Sequence, residues 1–365
     1  MLVSDFNYNL PEERIAKYPP KERGTTRLLV LNRETGELKD SHYQDLDQFL
    51  KPGDVLVLND TKVMPSRLFT TLPDGREREL VVLEKHEGEL GRVMYRGKLH
   101  EGDTLTVGED RIVVKKLLGG GIAEVESTVP LVKLVERHGA VPLPPYLHRD
   151  ADASDRERYQ TVWAKQTGSA AAPTASLNMT KELLARLEAK GIIIRTLTLH
   201  VGLGTFLPIR SDNVEDHHMH SEWYHIPDDT IGAISAAKSS GRRIIAVGTT
   251  VARTLEYYAK THQPAGEDDI FIYPGFKFQL VDALLTNFHA PKSTVLMLAA
   301  AFAGWDHLHR AYDHAVKEKY NFLSYGDSML IYTPTGDGPV GGPPLSVSEM
   351  GDDRSGRTRR EDNLC

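Results

Sequence analysis

Between residues 66 and about 150 the chain changes period, and no single regular architecture accommodates both sides of that change. Leu80-Val81-Val82-Leu83, Gly91-Arg92-Val93-Met94-Tyr95, Thr104-Leu105-Thr106-Val107, Arg111-Ile112-Val113-Val114 and Ile122-Ala123-Glu124-Val125 are short runs separated by Gly, Asp or Glu turns. Their spacing of roughly ten residues predicts a small antiparallel β-barrel. On either side, helices alternate with apolar strands. Strands are predicted at 28–31, 54–58, 192–199, 243–247 and 270–272, and helices at 11–16, 180–190, 228–239, 250–259 and 293–302. That alternation argues for a layered α/β domain. The expected organisation is an α/β main domain over 1–65 and 151–335, an inserted barrel over 66–150, and a tail over 336–365. The tail holds six Gly and three Pro with no apolar periodicity, and is predicted to be disordered.

Bulk properties narrow the class of function. The one cysteine, Cys365, is the last residue, so neither an intrachain disulfide nor a cysteine metal site is expected, in keeping with a reducing compartment. The N-terminus lacks a basic stretch followed by an apolar run, and no window approaches the length of a membrane span, so a cytoplasmic protein is expected. The net charge is −7, which is not the footprint of a globally basic nucleic-acid binder. Within 66–150, 13 Lys and Arg face 14 Asp and Glu, so the barrel is not expected to be a basic clamp.

Several segments could carry chemistry, each with a structural reading beside it. Asn59-Asp60-Thr61 follows an apolar strand. Asp60 there is either a base or hydroxyl ligand, or simply an Asx turn. In His200-Val201-Gly202-Leu203-Gly204-Thr205, two glycines permit close backbone approach to a ligand, or a plain tight turn. Leu207 replaces the third glycine of a dinucleotide fingerprint. If 217–225 is a strand, His218, His220 and Glu222 share a face and could hold Zn²⁺ or Fe²⁺; a polar edge strand is the competing reading. Val247-Gly248-Thr249-Thr250, followed by Arg253, offers hydroxyls and free amides to an anion, or ordinary capping. In Thr286-Asn287-Phe288-His289, Pro291 keeps His289 out of a helix. His289 is therefore either an acid–base group or part of a capping network. Asp327, in Ser324-Tyr325-Gly326-Asp327, could orient a catalytic histidine or bind a ribose diol.

Taken in this order and spacing, and together with Arg27-Leu28-Leu29-Val30-Leu31, these segments resemble the S-adenosylmethionine:tRNA ribosyltransferase-isomerase family of queuosine biosynthesis. The resemblance runs from Asp5 to about Ile331. It implies an α/β domain interrupted by a β-barrel. The implied reaction transfers and isomerises the ribosyl part of S-adenosylmethionine onto 7-aminomethyl-7-deazaguanine at the anticodon wobble position of tRNA, giving epoxyqueuosine-tRNA, adenine and methionine. S-Adenosylmethionine is then a co-substrate, with no cofactor or metal, and a monomer is expected.

On this reading His289 and His220 share proton transfer, Glu222 or Asp327 orients a histidine, and Asp60 completes the catalytic set. Asn59, Thr61, Arg67, His200, Gly202, Gly204, Thr205, Thr249, Thr250, Arg253, Asn287 and Tyr325 are expected to bind substrate. Asn178 stands where the family has histidine, and it cannot exchange a proton near neutral pH. Two rival readings stay open: a metallohydrolase built on 217–225, and a tRNA-binding relative impaired at Asn178.

Overall fold

The structure is a computed structural model describing residues 1–83, 89–202 and 209–334; the tail over 336–365 lies outside the described residues. In chain order the strands are β1 (Arg27–Asn32), β2 (Leu38–His42), β3 (Val55–Asn59), β4 (Thr61–Val63), β5 (Arg67–Thr71), β6 (Glu77–Val82), β7 (Leu90–Arg96), β8 (Thr104–Val107), β9 (Asp110–Gly119) and β10 (Ile122–Ser127). They continue with β11 (Gln166–Ser169), β12 (Ile193–Leu199), β13 (Glu222–His225), β14 (Ile244–Val247), β15 (Ala265–Asp268), β16 (Ala283–Asn287) and β17 (Ser328–Tyr332). The helices are α1 (Leu131–His138), α2 (Asp155–Arg158), α3 (Lys181–Ala189), α4 (Asp228–Ser239), α5 (Thr249–Thr261), α6 (Thr294–Ala303) and α7 (Trp305–Lys317).

A nine-stranded mixed sheet in the order β15-β13-β12-β3-β14-β16-β17-β1-β2 forms the body. Successive residues of a strand face opposite sides of the sheet, and β3 shows the consequence: Val55 and Val57 join one core, Leu56 and Leu58 the other. Residues of α4, α5, α6 and α7 complete the first core, and α3 with the turn Tyr43–Phe49 completes the second. Buried on both faces, the central strands read as continuous apolar runs, which is why 54–58 and 243–247 are legible.

The inserted unit is a closed barrel, β10-β7-β6-β5-β8-β9. Leu68, Leu80, Val93, Leu105, Ile112 and Val125 fill it, and α1 adds Leu131, Leu134 and Val135. Neither β5 nor α1 was among the predicted elements. The barrel returns to the body through a short parallel pair, β4 with β11.

The apolar run 270–272 is not a strand. Ala265–Asp268 takes the sheet edge beside β13 instead. Ile270 and Phe271 pack against the first core and Ile272 is buried within it. The predicted helix at 11–16 shrinks to a single 3-10 turn, Glu12–Arg14.

Candidate active site

Strands β12, β3, β14 and β16 run parallel, so their carboxyl ends share one edge of the sheet. β17 is antiparallel to β16, which brings the residues before it, from Ser324, to the same edge. Ligands of open α/β sheets gather in such crevices. A cavity of about 590 Å³ opens there. Its walls include Thr286 and Asn287 at the end of β16 and His289 just after it, Thr249 and Thr250 at the start of α5, and Lys292, Ser293 and Thr294 at the entry to α6. Pro173, Thr174, Tyr146, Tyr159 and Ser324 complete them.

His289 is fixed by its backbone. Its N–H donates to the Tyr312 hydroxyl at 2.9 Å, and its carbonyl accepts the Tyr8 hydroxyl. Tyr8 and Tyr312 meet edge to face, and Phe288 is wedged among Tyr312, Tyr320 and Phe322. The imidazole Nε2 lies 2.8 Å from Thr286 Oγ1. Loss of water around the ring lowers its pKa from 6.5 to about 3, because burial disfavours the charged form. His289 is therefore neutral at physiological pH.

Among the described residues the cavity wall carries no carboxylate. Its cationic group is Lys292, held at φ 58° by a backbone hydrogen bond to the Phe6 carbonyl. The amino ends of α5 and α6 open into it as well, and free helix amides favour an anion. Two polar wall atoms, Thr250 Oγ1 and Asn287 Oδ1, are buried with no hydrogen-bond partner among the described residues. Such atoms are costly to leave bare, and a ligand would satisfy them. Tyr146 shares a hydroxyl hydrogen bond with Ser324, and burial pushes its phenol up to about 12.

Other expected site residues are engaged elsewhere. Asn59 Oδ1 accepts the Thr61 and Leu199 amides, and its Nδ2 donates to the Leu199 carbonyl. Thr61 Oγ1 lies 2.8 Å from His200 Nδ1, and the His200 ring stacks on Trp223 at 5.1 Å. A Cβ at Gly168 would come within 2.5 Å of that ring, so glycine is required beneath it. Asp60 accepts from Thr198 Oγ1 at 2.6 Å, and burial raises its pKa. Glu222 accepts the Gly202 amide and Arg253, which also donates to the Asp268 carbonyl. Asp327 accepts the Arg27 and Asn321 amides at 2.7 Å each and makes no hydrogen bond to a histidine among the described residues. Tyr325 donates to Asp155.

The 217–225 segment is not one strand. β13 starts at Glu222, and His218 and His220 lie exposed ahead of it. The structure therefore does not bring His220 to the wall that holds His289. Among the described residues no group of three or more His, Cys, Asp or Glu is placed to hold a metal. Arg67 lines a different groove, beside the barrel. Gly204 and Thr205 lie outside the described residues. Asn178 is buried and donates to the Gly326 carbonyl at 3.1 Å. It ties the wall segment to the residues just before β17 and is not among the residues that line the cavity. Sequence reasoning missed Thr286 Oγ1 as the partner of His289, and Lys292, Tyr146 and Ser324 as wall residues. The Thr-x-x-His spacing carried the first signal; the others depend on tertiary approach.

Comparison with known proteins points one way. The sequence model of the family described as queuosine biosynthesis protein matches residues 3–331. A Chlorobium phaeovibrioides protein named S-adenosylmethionine:tRNA ribosyltransferase-isomerase is 56% identical over 340 residues, covering 91% of this chain and all of the relative. One of the same name from Halothermothrix orenii is 47% identical over 342 residues, again with 91% and all covered. The crystal structure of an S-adenosylmethionine tRNA ribosyltransferase from Thermotoga maritima matches with a TM-score of 0.54 at 34% identity, over 90% of this chain and all of that one. The chain belongs to the queuosine biosynthesis family of S-adenosylmethionine:tRNA ribosyltransferase-isomerases.

Proposed function

We propose that the 590 Å³ cavity is where the ribosyl part of S-adenosylmethionine is transferred to 7-aminomethyl-7-deazaguanine in tRNA and isomerised to the epoxide. The supporting observation is that residues at the carboxyl ends of β12, β14 and β16, and Ser324 ahead of β17, line one cavity that holds a neutral histidine. Adenine and methionine leave. The steps are proton transfers and displacements, which need no redox carrier, and we propose that no cofactor takes part. The RNA substrate puts the reaction in the cytoplasm.

The sulfonium acidifies the neighbouring C5′ hydrogens, and His289, unprotonated and lining the cavity, is the wall side chain we assign to accept one, a weak base while its ring stays dry. Thr286 Oγ1 at 2.8 Å holds the ring in place. The aminomethyl group must attack as a free amine. A wall without a carboxylate among its described residues, and with Lys292 in it, disfavours the ammonium form. Lys292 and the two helix amino ends suit the methionyl carboxylate. Thr250 Oγ1 and Asn287 Oδ1 await donors or hydroxyls of the nucleoside. Incubating the protein with S-adenosylmethionine and tRNA bearing 7-aminomethyl-7-deazaguanine should release adenine and methionine in equal amounts. No release by a folded protein overturns the assignment.

A further inference from the structure

A second groove of about 570 Å³ runs between the outer surface of the barrel and the segment 142–150 that leads from the barrel back to the body. It meets the catalytic cavity at Pro145, which lines both. The segment around Pro145 is a partition: Tyr146 faces the catalytic side, while Leu143, His148 and Arg149 face the groove. The far wall is the outer surface of β5, β6 and β7, with Arg67, Val81, Met94 and Arg96. The barrel interior is filled by its own apolar side chains, so the outer surface is the part of this insertion free to meet a ligand.

The groove's chemistry suits unpaired RNA. Arg96 is 82% exposed, and its ion-pair contact, to Glu79, is long at 3.9 Å, because Glu79 is already held by Arg67 at 3.1 Å. Arg149 is fixed by Asp155 through both terminal nitrogens and by the Lys17 carbonyl. Its guanidinium lies 4.1 Å from the ring centre of Tyr18, which stands beyond the groove's lining residues on the far side of Arg149 and is 58% exposed. One side of Tyr18 is thus backed by a rigid cation and the ring remains largely open to solvent. An aromatic platform stacks a base of any sequence, and an adjacent guanidinium meets the backbone phosphate. Such a site binds a strand without a globally basic surface, as a net charge of −7 requires.

We infer that this groove holds the single-stranded nucleotides flanking the reacting base, with Tyr18 stacking a base and Arg96 meeting a phosphate. The inference rests on the catalytic cavity being the ribosyl-transfer site on tRNA. The test uses the full chain, a fluorescent anticodon stem-loop bearing 7-aminomethyl-7-deazaguanine, and the variants Tyr18→Ala and Arg96→Glu. Binding is read by anisotropy across a salt series, and turnover by adenine release. Each variant should bind the stem-loop at least tenfold more weakly, with KM for S-adenosylmethionine and kcat at saturating RNA unchanged. Arg96→Glu should also flatten the salt dependence, and Arg96→Lys should recover most of the loss. Stem-loop affinity and salt dependence unchanged in both folded variants overturn the inference, even if the wild type turns over. A wild type that binds the stem-loop but releases no adenine overturns the functional reading alone.

Discussion

Asn59 and Asn287 each end a central strand of the same sheet, and both are buried, but they spend their amide groups differently. Asn59 has its carbonyl taken by two backbone amides and its NH₂ given to the Leu199 carbonyl. Asn287 leaves its side-chain carbonyl with no partner among the described residues and makes one long contact, 3.4 Å, through its NH₂. The same contrast extends to their neighbours. Asp60 is taken by Thr198, Thr61 and His200 meet each other, and Glu222 is taken by the Gly202 amide and Arg253. Thr250, His289 and Lys292 face a cavity. A polar strand end is thus a joint where its hydrogen bonds are satisfied internally and a site where they are not, since an unmade bond at a buried group is what a ligand can supply.

That comparison can be broken by substitution. Asn59→Ala strips two backbone amides and a carbonyl of their partner, and should cost about 3 kcal/mol of stability, read from chemical denaturation. Turnover should fall only as far as folded protein is lost. The converse is expected of Asn287→Ala. Stability should change by less than about 1 kcal/mol, while kcat/KM for S-adenosylmethionine drops about tenfold, checked by steady-state adenine release. An equal loss of stability in both variants would erase the distinction.

Protons sharpen it further. The His289 pKa is about 3 in the folded protein against 6.5 ordinarily. Below pH 6.5 the unfolded chain takes up a proton that the native state refuses, so this group's effect is to lower stability as pH falls from about 6.5 toward 3. Above pH 6.5 it has no effect. His289→Gln should reduce the slope of stability against pH in that window, measured by denaturation at several pH values. The smallest effect is expected at Asn178. Its hydrogen bond to the Gly326 carbonyl can be replaced by an imidazole N–H, so Asn178→His should leave turnover within about twofold and stability within about 1.5 kcal/mol.

Much of this was legible in the residues. The central strands at 54–58 and 243–247 are buried on both faces, and an uninterrupted apolar run is what such burial demands. The helix over Asp228–Ser239 keeps its predicted bounds, with Asp228 and Asp229 in its first turn and Lys238 in its last. The barrel showed in its turn spacing, but α1 did not, because its stripe of Leu131, Leu134 and Val135 becomes meaningful only once there is a barrel end to cover. The candidate site was half legible. His289, Asn287, Thr249 and Thr250 were drawn from strand ends and do share a cavity. His220 and Glu222 were grouped by assuming a strand through 217–225. The strand begins at Glu222, whose carboxylate turns inward to Gly202 and Arg253. Whether a polar side chain is open or spent depends on partners up to hundreds of residues distant, as with Asp327 and the Arg27 amide, and local pattern does not encode that.

The central claim is that the open cluster around His289 performs the chemistry, and His289→Ala tests it most directly. Adenine release from S-adenosylmethionine with modified tRNA should fall at least about 100-fold, the range of a positioned acid–base group. The thermal midpoint should stay within a few degrees, since the backbone clamp by Tyr8 and Tyr312 does not use the imidazole. Near-normal adenine release from a folded His289→Ala protein would contradict the account.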